Sequence, residues 1–205
     1  MKRKYLVALA GGAVLFGCAT YDAPTREETM QVVKSSFRER GIAKLDRLDQ
    51  SEIQTACSEA SLTGKELPKD VRARLEKAAL ATVKLPADGV YLGDFKQGER
   101  IAQTGVGLQW SDTEKTVAGG NCYACHQMAP QEIAFGNIGP SLRNYGKLRG
   151  NSKEVVTYTW GKLWNSHAYN ACSQMPRYGD ANILTTAQLK DLMALLLDPN
   201  SPVNK

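Results

Sequence analysis

Two cysteines and a histidine stand close together in the middle of the chain, in the order Cys122-Tyr123-Ala124-Cys125-His126. Two thiols on one helical turn can form thioethers to the two vinyl groups of a haem. The next residue can then direct its imidazole at the iron. Because C-x-x-C-H is the attachment sequence of c-type haem, the spacing predicts one covalently attached haem c, with its iron held by His126.

Two other chemistries use a closely spaced pair of thiols, namely a redox-active dithiol and one half of a zinc site. A thioredoxin-like pair normally follows a buried strand, and no stretch of this sequence shows convincing strand alternation. A zinc site would have to recruit Cys57 and Cys172, which stand alone without paired spacing. Both chemistries stay open, although the motif favours haem.

The iron of such a haem takes a second axial ligand from elsewhere in the chain. The candidates are Met128, Met175, Met193 and His167. Met128 lies two residues past His126 and cannot reach the opposite face of the haem. Met193 belongs to an apolar helical stripe, in which core packing is the ordinary role of a methionine.

Met175 is the residue that we predict as the second axial ligand. Pro176 follows it in a loop and can hold the methionine rigidly over the haem. Methionine opposite histidine raises the reduction potential of the iron, which suits an electron acceptor. His167 is the alternative and would give a bis-histidine iron.

A ligating histidine usually donates its other N–H to a fixed acceptor. The carbonyl of Pro140 is suited to this because the proline has a rigid φ. We therefore predict that Pro140 accepts the Nδ1 proton of His126, with an ordinary turn as the alternative. Four aromatic residues are candidate neighbours of the haem, with plain core packing as the alternative: Tyr145, Trp160, Trp164 and Tyr178. Arg177 is a candidate partner of a haem propionate, with an exposed arginine as the alternative.

The first residues have the pattern of an export signal. Residues 2–4 are Lys-Arg-Lys, and the apolar run at 5–16 is shorter than the about 20 residues that span a bilayer. Residues 15–18 resemble a bacterial lipoprotein box, in which Cys18 becomes the lipidated first residue. Ordinary cleavage after Ala19 is the alternative. We expect a periplasmic protein, anchored to the membrane by lipid in the first case.

The chain has five cysteines, and two of them remain after the haem motif and Cys18 are accounted for. In an oxidising compartment Cys57 and Cys172 most simply form a disulfide. Closing a loop of over a hundred residues would stabilise the fold by about 4–5 kcal/mol in the entropic view. The alternative is a reactive thiol at Cys172.

The elements that must position these residues are helices. Apolar spacing predicts helices over residues 24–41 and 45–57, and Pro68 opens a third. Asp94 with Gln97, Asn151 with Glu154, and Thr185 with Gln188 resemble capping boxes that begin three more helices. Residues 137–150 and 167–179 are predicted as loops. The fold class is therefore mainly α, a class I cytochrome c-like haem domain with long loops and a helical N-terminal extension.

Composition agrees with an ordinary globular protein of 205 residues, 42% hydrophobic and 23% charged. The net charge of +5 includes three cations at residues 2–4, so a nucleic-acid surface is not expected. We divide the chain into a signal peptide at 1–17, a helical arm at 18–89 and a cytochrome c domain at 90–205. The arm is short of large apolar residues and must pack on that domain or on a partner.

Several segments together resemble the SoxX family, the small cytochromes of the bacterial thiosulfate-oxidising Sox system. These are residues 119–127 (GGNCYACHQ), 139–142 (GPSL), 175–179 (MPRYG), 93–99 (GDFKQGE) and 195–199 (LLLDP). The resemblance covers roughly residues 90–203 and is weaker over the arm.

This resemblance implies a role in an electron-transfer pair. SoxX proteins pair with SoxA, another c-type cytochrome, and the pair oxidatively joins thiosulfate to a cysteine of the SoxYZ carrier protein. The activity is that of an L-cysteine S-thiosulfotransferase, whose reactive cysteine belongs to SoxA. By this resemblance the present chain contributes one haem, held by Cys122 and Cys125 with His126 and Met175 on the iron. It has no catalytic residue of its own and passes electrons to a downstream cytochrome.

Three other functions stay open. A stand-alone exported electron carrier explains the haem but not the charged arm. A zinc or dithiol protein would lack haem altogether. A reactive Cys172 would make this chain catalytic.

Overall fold

The computed structural model describes residues 23–205, which fold into helices and turns without strands. This confirms the mainly α class predicted from the sequence. The α-helices are α1 (Arg26–Ser36), α2 (Glu52–Thr63), α3 (Lys69–Ala81), α4 (Phe95–Gln103), α5 (Tyr145–Arg149), α6 (Lys153–Trp164) and α7 (Thr186–Leu197). Short 3₁₀ turns lie at Leu45–Leu48, Cys122–Ala124, Ser166–Ala168 and Pro202–Asn204. None of the helices in residues 23–205 is long and apolar enough to cross a membrane.

The structure divides into two compact units between residues 37 and 38, so the described residues 23–37 belong to the first unit and residues 38–205 form the second. In the first unit, α1 begins at a capping box between Thr25 and Glu28 and buries none of its side chains. It ends at Ser36, short of the predicted end near Gly41. The predicted signal at 1–17 and Cys18 lie outside the described residues, and the division at 89/90 stays a prediction.

The core of the second unit is built from α4, α6, α7 and the cysteine motif. α4 crosses α7 so closely that the main chain at Gly98 lies against the main chain of Asp191. α7 begins at the predicted capping box, in which Thr185 and Gln188 satisfy each other's main-chain groups. The side chains of Leu189, Met193 and Leu195 on α7 are completely buried.

α2 and α3 precede this core in the chain and belong to the same unit. The predicted helix at 45–57 is wrong in its bounds, because the chain leaves a 3₁₀ turn and starts α2 at a capping box of Ser51 and Gln54. α2 ends at Gly64, whose left-handed φ of 65° favours glycine. The helix that Pro68 opens is confirmed as α3.

Two predicted caps differ from the observed ones. α6 begins at Ser152 rather than Asn151, because the serine hydroxyl accepts from the Val155 N–H. At α4 the Asp94 carboxylate caps the Lys96 N–H, but Gln97 does not return a bond. The Asp94 N–H donates instead to Asp191 of α7 at 2.8 Å, so a tertiary contact replaces the local one.

Candidate haem site

The cysteine motif forms a tight turn at the wall of a cavity. Asn121 has a left-handed backbone (φ 48°), and the 3₁₀ turn Cys122–Ala124 follows it. The N–H of His126 donates to the Cys122 carbonyl at 2.9 Å, which closes the turn. Cys122 and Cys125 are both free thiols at the cavity wall, so their sulfurs are available for the predicted thioethers.

His126 is oriented by the turn at Gly139 and Pro140. Its Nδ1 lies 2.7 Å from the Pro140 carbonyl, and since that oxygen can only accept, Nδ1 carries the proton. The Nε2 lone pair is then free for a metal ion. The main chain at Gly139 lies in close contact with the ring, because a Cβ atom there would overlap the ring atoms. The Gly139 N–H donates to the Cys125 carbonyl at 2.8 Å and fixes this turn beside the motif.

The cavity has a volume of about 910 Å³, within the range of cofactor sites. Cys122, Cys125, His126 and Met175 all line it, so the structure brings these four predicted residues together around one space. The charged side chains in its lining are Arg143, Arg149 and Lys162, and the described lining contains no carboxylate. A cationic, mostly apolar cavity fits a porphyrin with two anionic propionates, so these residues fit haem c.

The loop after α6 places Met175 in the lining of the same cavity. The Ser166 hydroxyl donates to the Met175 carbonyl at 2.6 Å. His167, the alternative ligand, is buried outside the cavity lining, and its Nε2 donates to the Ser173 carbonyl at 3.2 Å. Burial lowers the pKa of His167, with the cation of Arg177 acting in the same direction.

Of the other two candidate methionines, one lines the cavity and one lies in the core. Met128 is buried and lines the cavity on the side of the motif, whereas Met193 lies within the apolar core and not in the lining. Axial ligation by Met175 stays a prediction.

The electrostatics of the motif differ from those of a redox-active dithiol. Burial raises the pKa of the Cys122 thiol to about 12. Reactive C-x-x-C cysteines have a lowered pKa, because the thiolate is the nucleophile. The Tyr178 hydroxyl donates to the Gly120 carbonyl beside Cys122, and burial raises the pKa of this phenol above its ordinary value. The motif is therefore built to hold neutral sulfur, as in a thioether.

Cys57 and Cys172 are joined by a disulfide that closes a segment of 115 residues. Neither thiol is then available as the extra zinc ligand that the second alternative needs. Cys172 lies in the cavity lining, three residues before Met175.

Some expected neighbours lie elsewhere. Tyr145 and Tyr178 line the cavity, but Trp160 and Trp164 do not. Trp160 is fully buried in the core, and its Nε1–H donates to the Lys84 carbonyl at 2.8 Å. Arg177 also lies outside the lining and pairs with Asp180 at 3.5 Å.

Sequence reasoning missed the cations of the lining. Arg143 lies two residues before α5, Arg149 is the last residue of α5, and Lys162 lies on α6. α5 itself falls within residues 137–150, which were expected to be a loop. Nothing in their spacing marks these three residues as a set, because they come together only when α5 packs beside α6.

Comparison with known proteins agrees with this geometry. Residues 111–198, which include the motif and Met175, match the Cytochrome c family. An uncharacterized lipoprotein of Aquifex aeolicus (strain VF5) is 34% identical over 212 residues, covering all of both chains.

Proposed function

Since this chain belongs to the same family as the Aquifex aeolicus lipoprotein and contains a cytochrome c domain with covalently attached haem c, we propose that it is the electron-transfer subunit of a SoxAX-like complex. A cytochrome c domain of class I type makes it a haem electron-transfer protein. The finer proposal concerns its donor, its partner and the reaction that it serves.

The observation that carries the proposal is where the SoxX-like segments lie. Residues 119–127, 139–142 and 175–179 are far apart in the sequence, and each contributes to the lining of the one cavity. The segments at 93–99 and 195–199 contain parts of α4 and α7, which cross each other, and α4 also contacts the 3₁₀ turn of the motif. The resemblance is therefore concentrated around the cofactor and the helices that support it.

The cavity is open enough for a redox partner to approach the cofactor. Ile138 and Leu148 both line the cavity, yet they are 78% and 79% exposed, so they mark its mouth. An apolar, exposed edge suits transfer of electrons to and from another protein. Methionine opposite histidine would raise the reduction potential of the iron and favour acceptance.

In the proposed reaction a carrier cysteine thiol and thiosulfate form an S–S bond, and a proton and two electrons are released. The bond forms at the SoxA-like partner, and this chain takes the electrons onward one at a time to a downstream cytochrome. Its own thiols do not take part. The only free cysteines in residues 23–205 are those of the haem motif.

The test is purification of the tagged holoprotein from a periplasmic extract, followed by haem staining and identification of what co-purifies. We expect a second c-type cytochrome. Thiosulfate should reduce this chain's haem only when that partner and a SoxYZ-like carrier are present. A protein that purifies alone and is reduced equally well without them would favour the stand-alone electron carrier.

We further propose that the chain is held at the periplasmic face of a membrane by lipid on Cys18. The support is the lipoprotein-like box at residues 15–18 and the name of the Aquifex relative. Cys18→Ala should move the haem-stained protein from the membrane fraction to the soluble periplasmic fraction or block its processing. An unchanged distribution would favour cleavage after Ala19.

A further inference from the structure

The loop that carries Met175 is fastened to α2 and α3, and not only to the core around the haem cavity. We call residues 165–175 the methionine loop. The Cys57–Cys172 disulfide joins this loop to α2. The main-chain N–H of Ala171 donates to Glu76 of α3 at 3.0 Å. Two neighbouring residues of the loop are thus held by two different helices.

The beginning of the methionine loop is held by the end of α3. The side-chain amide of Asn165 donates to the Thr82 hydroxyl at 2.9 Å and to the Ala79 carbonyl at 3.4 Å. The Asn165 side chain is buried, so these bonds are shielded from water. The start of the loop is therefore fixed to the end of α3, and its residues 171 and 172 are fixed to α3 and α2.

A small apolar cluster completes the attachment. Ala171 is buried against Ile53 of α2 and Leu75 of α3, in a cluster separate from the main core. The buried residues of α2 and α3 are Ile53, Leu75 and Ala79, and the first two of these belong to the cluster. The two helices thus use much of their apolar surface to hold this one loop.

Contacts within the loop transmit this attachment to the methionine. Ser166 donates to the Met175 carbonyl at 2.6 Å, and His167 donates to the Ser173 carbonyl at 3.2 Å. The Met175 N–H donates to the Ser173 hydroxyl at 3.3 Å. These bonds join Met175 to residues on both sides of Ala171 and Cys172, so the main chain of Met175 is coupled to the attached part of the loop.

We propose that α2 and α3 position Met175, with the Cys57–Cys172 disulfide and the Glu76 carboxylate holding the methionine loop against the haem cavity. This rests on the proposed ligation of the iron by Met175. Glu76 acts through the Ala171 N–H and does not touch the cofactor. A weakened attachment leaves the methionine off the iron for a larger fraction of time.

An added small ligand measures that fraction. Imidazole can bind the ferric iron only when Met175 has left it, so its apparent affinity is its intrinsic affinity multiplied by the open fraction. Local opening of a loop has its own free energy, distinct from that of global unfolding. Imidazole affinity therefore reports the attachment of the loop separately from the stability of the protein.

The first experiment titrates imidazole into the ferric holoprotein and its Glu76→Ala variant. Losing a hydrogen bond to a charged group should increase the apparent imidazole affinity about tenfold. The absorption band of the methionine–iron(III) bond should weaken in parallel, and the reduction potential should fall. Glu76→Gln keeps an acceptor for the Ala171 N–H and should stay within about threefold of wild type. Glu59→Ala, on the exposed face of α2, removes the same charge and should change nothing.

A second pair of variants separates positioning from general stability. Cys57→Ser with Cys172→Ser should increase imidazole affinity at least as much as Glu76→Ala. Thr185→Ala removes the α7 cap, whose hydrogen bonds are with Gln188 and not with the loop, and lowers global stability; it should leave imidazole affinity unchanged. Wild-type affinity in both Glu76→Ala and the cysteine variant would overturn the proposal, and so would equal effects of Glu76→Gln and Glu76→Ala.

Met175→Ala tests the premise independently. It should abolish the methionine–iron band and bind imidazole more tightly than any other variant. If this variant keeps the band, Met175 is not the ligand and the proposed ligation fails. If the band is lost while the loop variants behave as wild type, only the positioning role fails.

Discussion

At the scale of single residues, the site depends on how closely one glycine approaches the imidazole. Gly139 lies in close contact with the His126 ring, while the next residue, Pro140, accepts its Nδ1 proton. This arrangement fixes the ring plane and the tautomer together. The space for a side chain at residue 139 is taken up by the ring itself.

We therefore expect Gly139→Ala to weaken the bond between His126 and the iron. The methyl group displaces the ring and stretches its bond to Pro140. Loss of such a supporting contact typically costs 10–100-fold in metal affinity, which is about 1–2 pH units in competition with protons. The midpoint of the acid transition, followed by the visible spectrum of the ferric holoprotein, should rise by that amount. Ile133→Ala, at an exposed residue outside the cavity lining, is the control, and an equal midpoint in both variants would contradict the expectation.

His167 makes a second residue-scale prediction, which concerns pH. Its pKa is lowered mainly by burial and then by Arg177 and Lys162, while the Ser173 carbonyl and Asp180 act in the opposite direction. The folded state therefore binds a proton at this imidazole less readily than the unfolded chain, which does so below about pH 6.5. The free energy of unfolding should consequently fall as the pH drops through that value.

Denaturant unfolding of the holoprotein at about pH 7.5 and about pH 5.5 measures this effect. His167→Gln keeps a donor for Ser173 but cannot gain the proton, so its loss of stability between the two pH values should be smaller than that of wild type. Glu99, whose burial raises its pKa, titrates in both proteins and cancels in the comparison. The same slope in both would show that His167 does not contribute.

At the scale of elements, the crossing of α4 and α7 supports the cysteine motif. Gly98 is buried there, and a Cβ atom would meet the Asp191 carbonyl and, at 3.0 Å, the Cβ of Leu195. Gly98→Ala should separate the two helices and cost about 1–3 kcal/mol in the free energy of unfolding. Gln97→Ala on the exposed side of α4 should have little effect. Thermal unfolding of the two holoproteins compares them, and similar melting temperatures would argue against a tight crossing.

Elements with a strong local signal could be predicted from the sequence. Thr185 and Gln188 satisfy each other within one turn, so the start of α7 needs no tertiary information. At Asp94 the same local pattern predicts a hydrogen bond with Gln97. The Asp94 N–H donates instead to the carboxylate of Asp191, which lies on α7. The sequence does not reveal such a competition. α5 has only five residues and follows a left-handed Asn144, which leaves too short a pattern to recognise.

The residues of the site likewise divide into those that the sequence predicts and those that it does not. C-x-x-C-H is readable because covalent geometry fixes the offsets of its three residues. The contact of Glu76 with Ala171 joins residues 95 positions apart, and no local pattern encodes it. Trp160 and Trp164 share one helical face with the expected spacing, yet that face is turned to the core and to Tyr91 rather than to the cavity. Periodicity shows that a face is buried but not what covers it.

At the scale of the whole molecule, residues 38–205 depend on a covalent link between distant parts of the chain. α2 buries Ile53, and α3 buries Leu75 and Ala79, which is little for two helices of 12 and 13 residues. Helices of this length are marginal in water without tertiary packing. The Cys57–Cys172 disulfide therefore provides stabilisation that the small buried apolar surface of these helices does not.

Removing that link should therefore lower the stability of the whole unit. A disulfide restricts the unfolded chain, and for a closed segment of 115 residues the entropic model gives about 5 kcal/mol. Cys57→Ala with Cys172→Ala should reduce the free energy of unfolding of the holoprotein towards this amount in a denaturant titration. Added reductant should destabilise the wild-type protein and leave the double variant unchanged, because the haem thioethers are not reducible. Two reactive thiols in the folded, unreduced wild type would contradict the link itself. If the wild type has no reactive thiols and the double variant is nevertheless as stable as the wild type, packing of α2 and α3 suffices to hold the unit together.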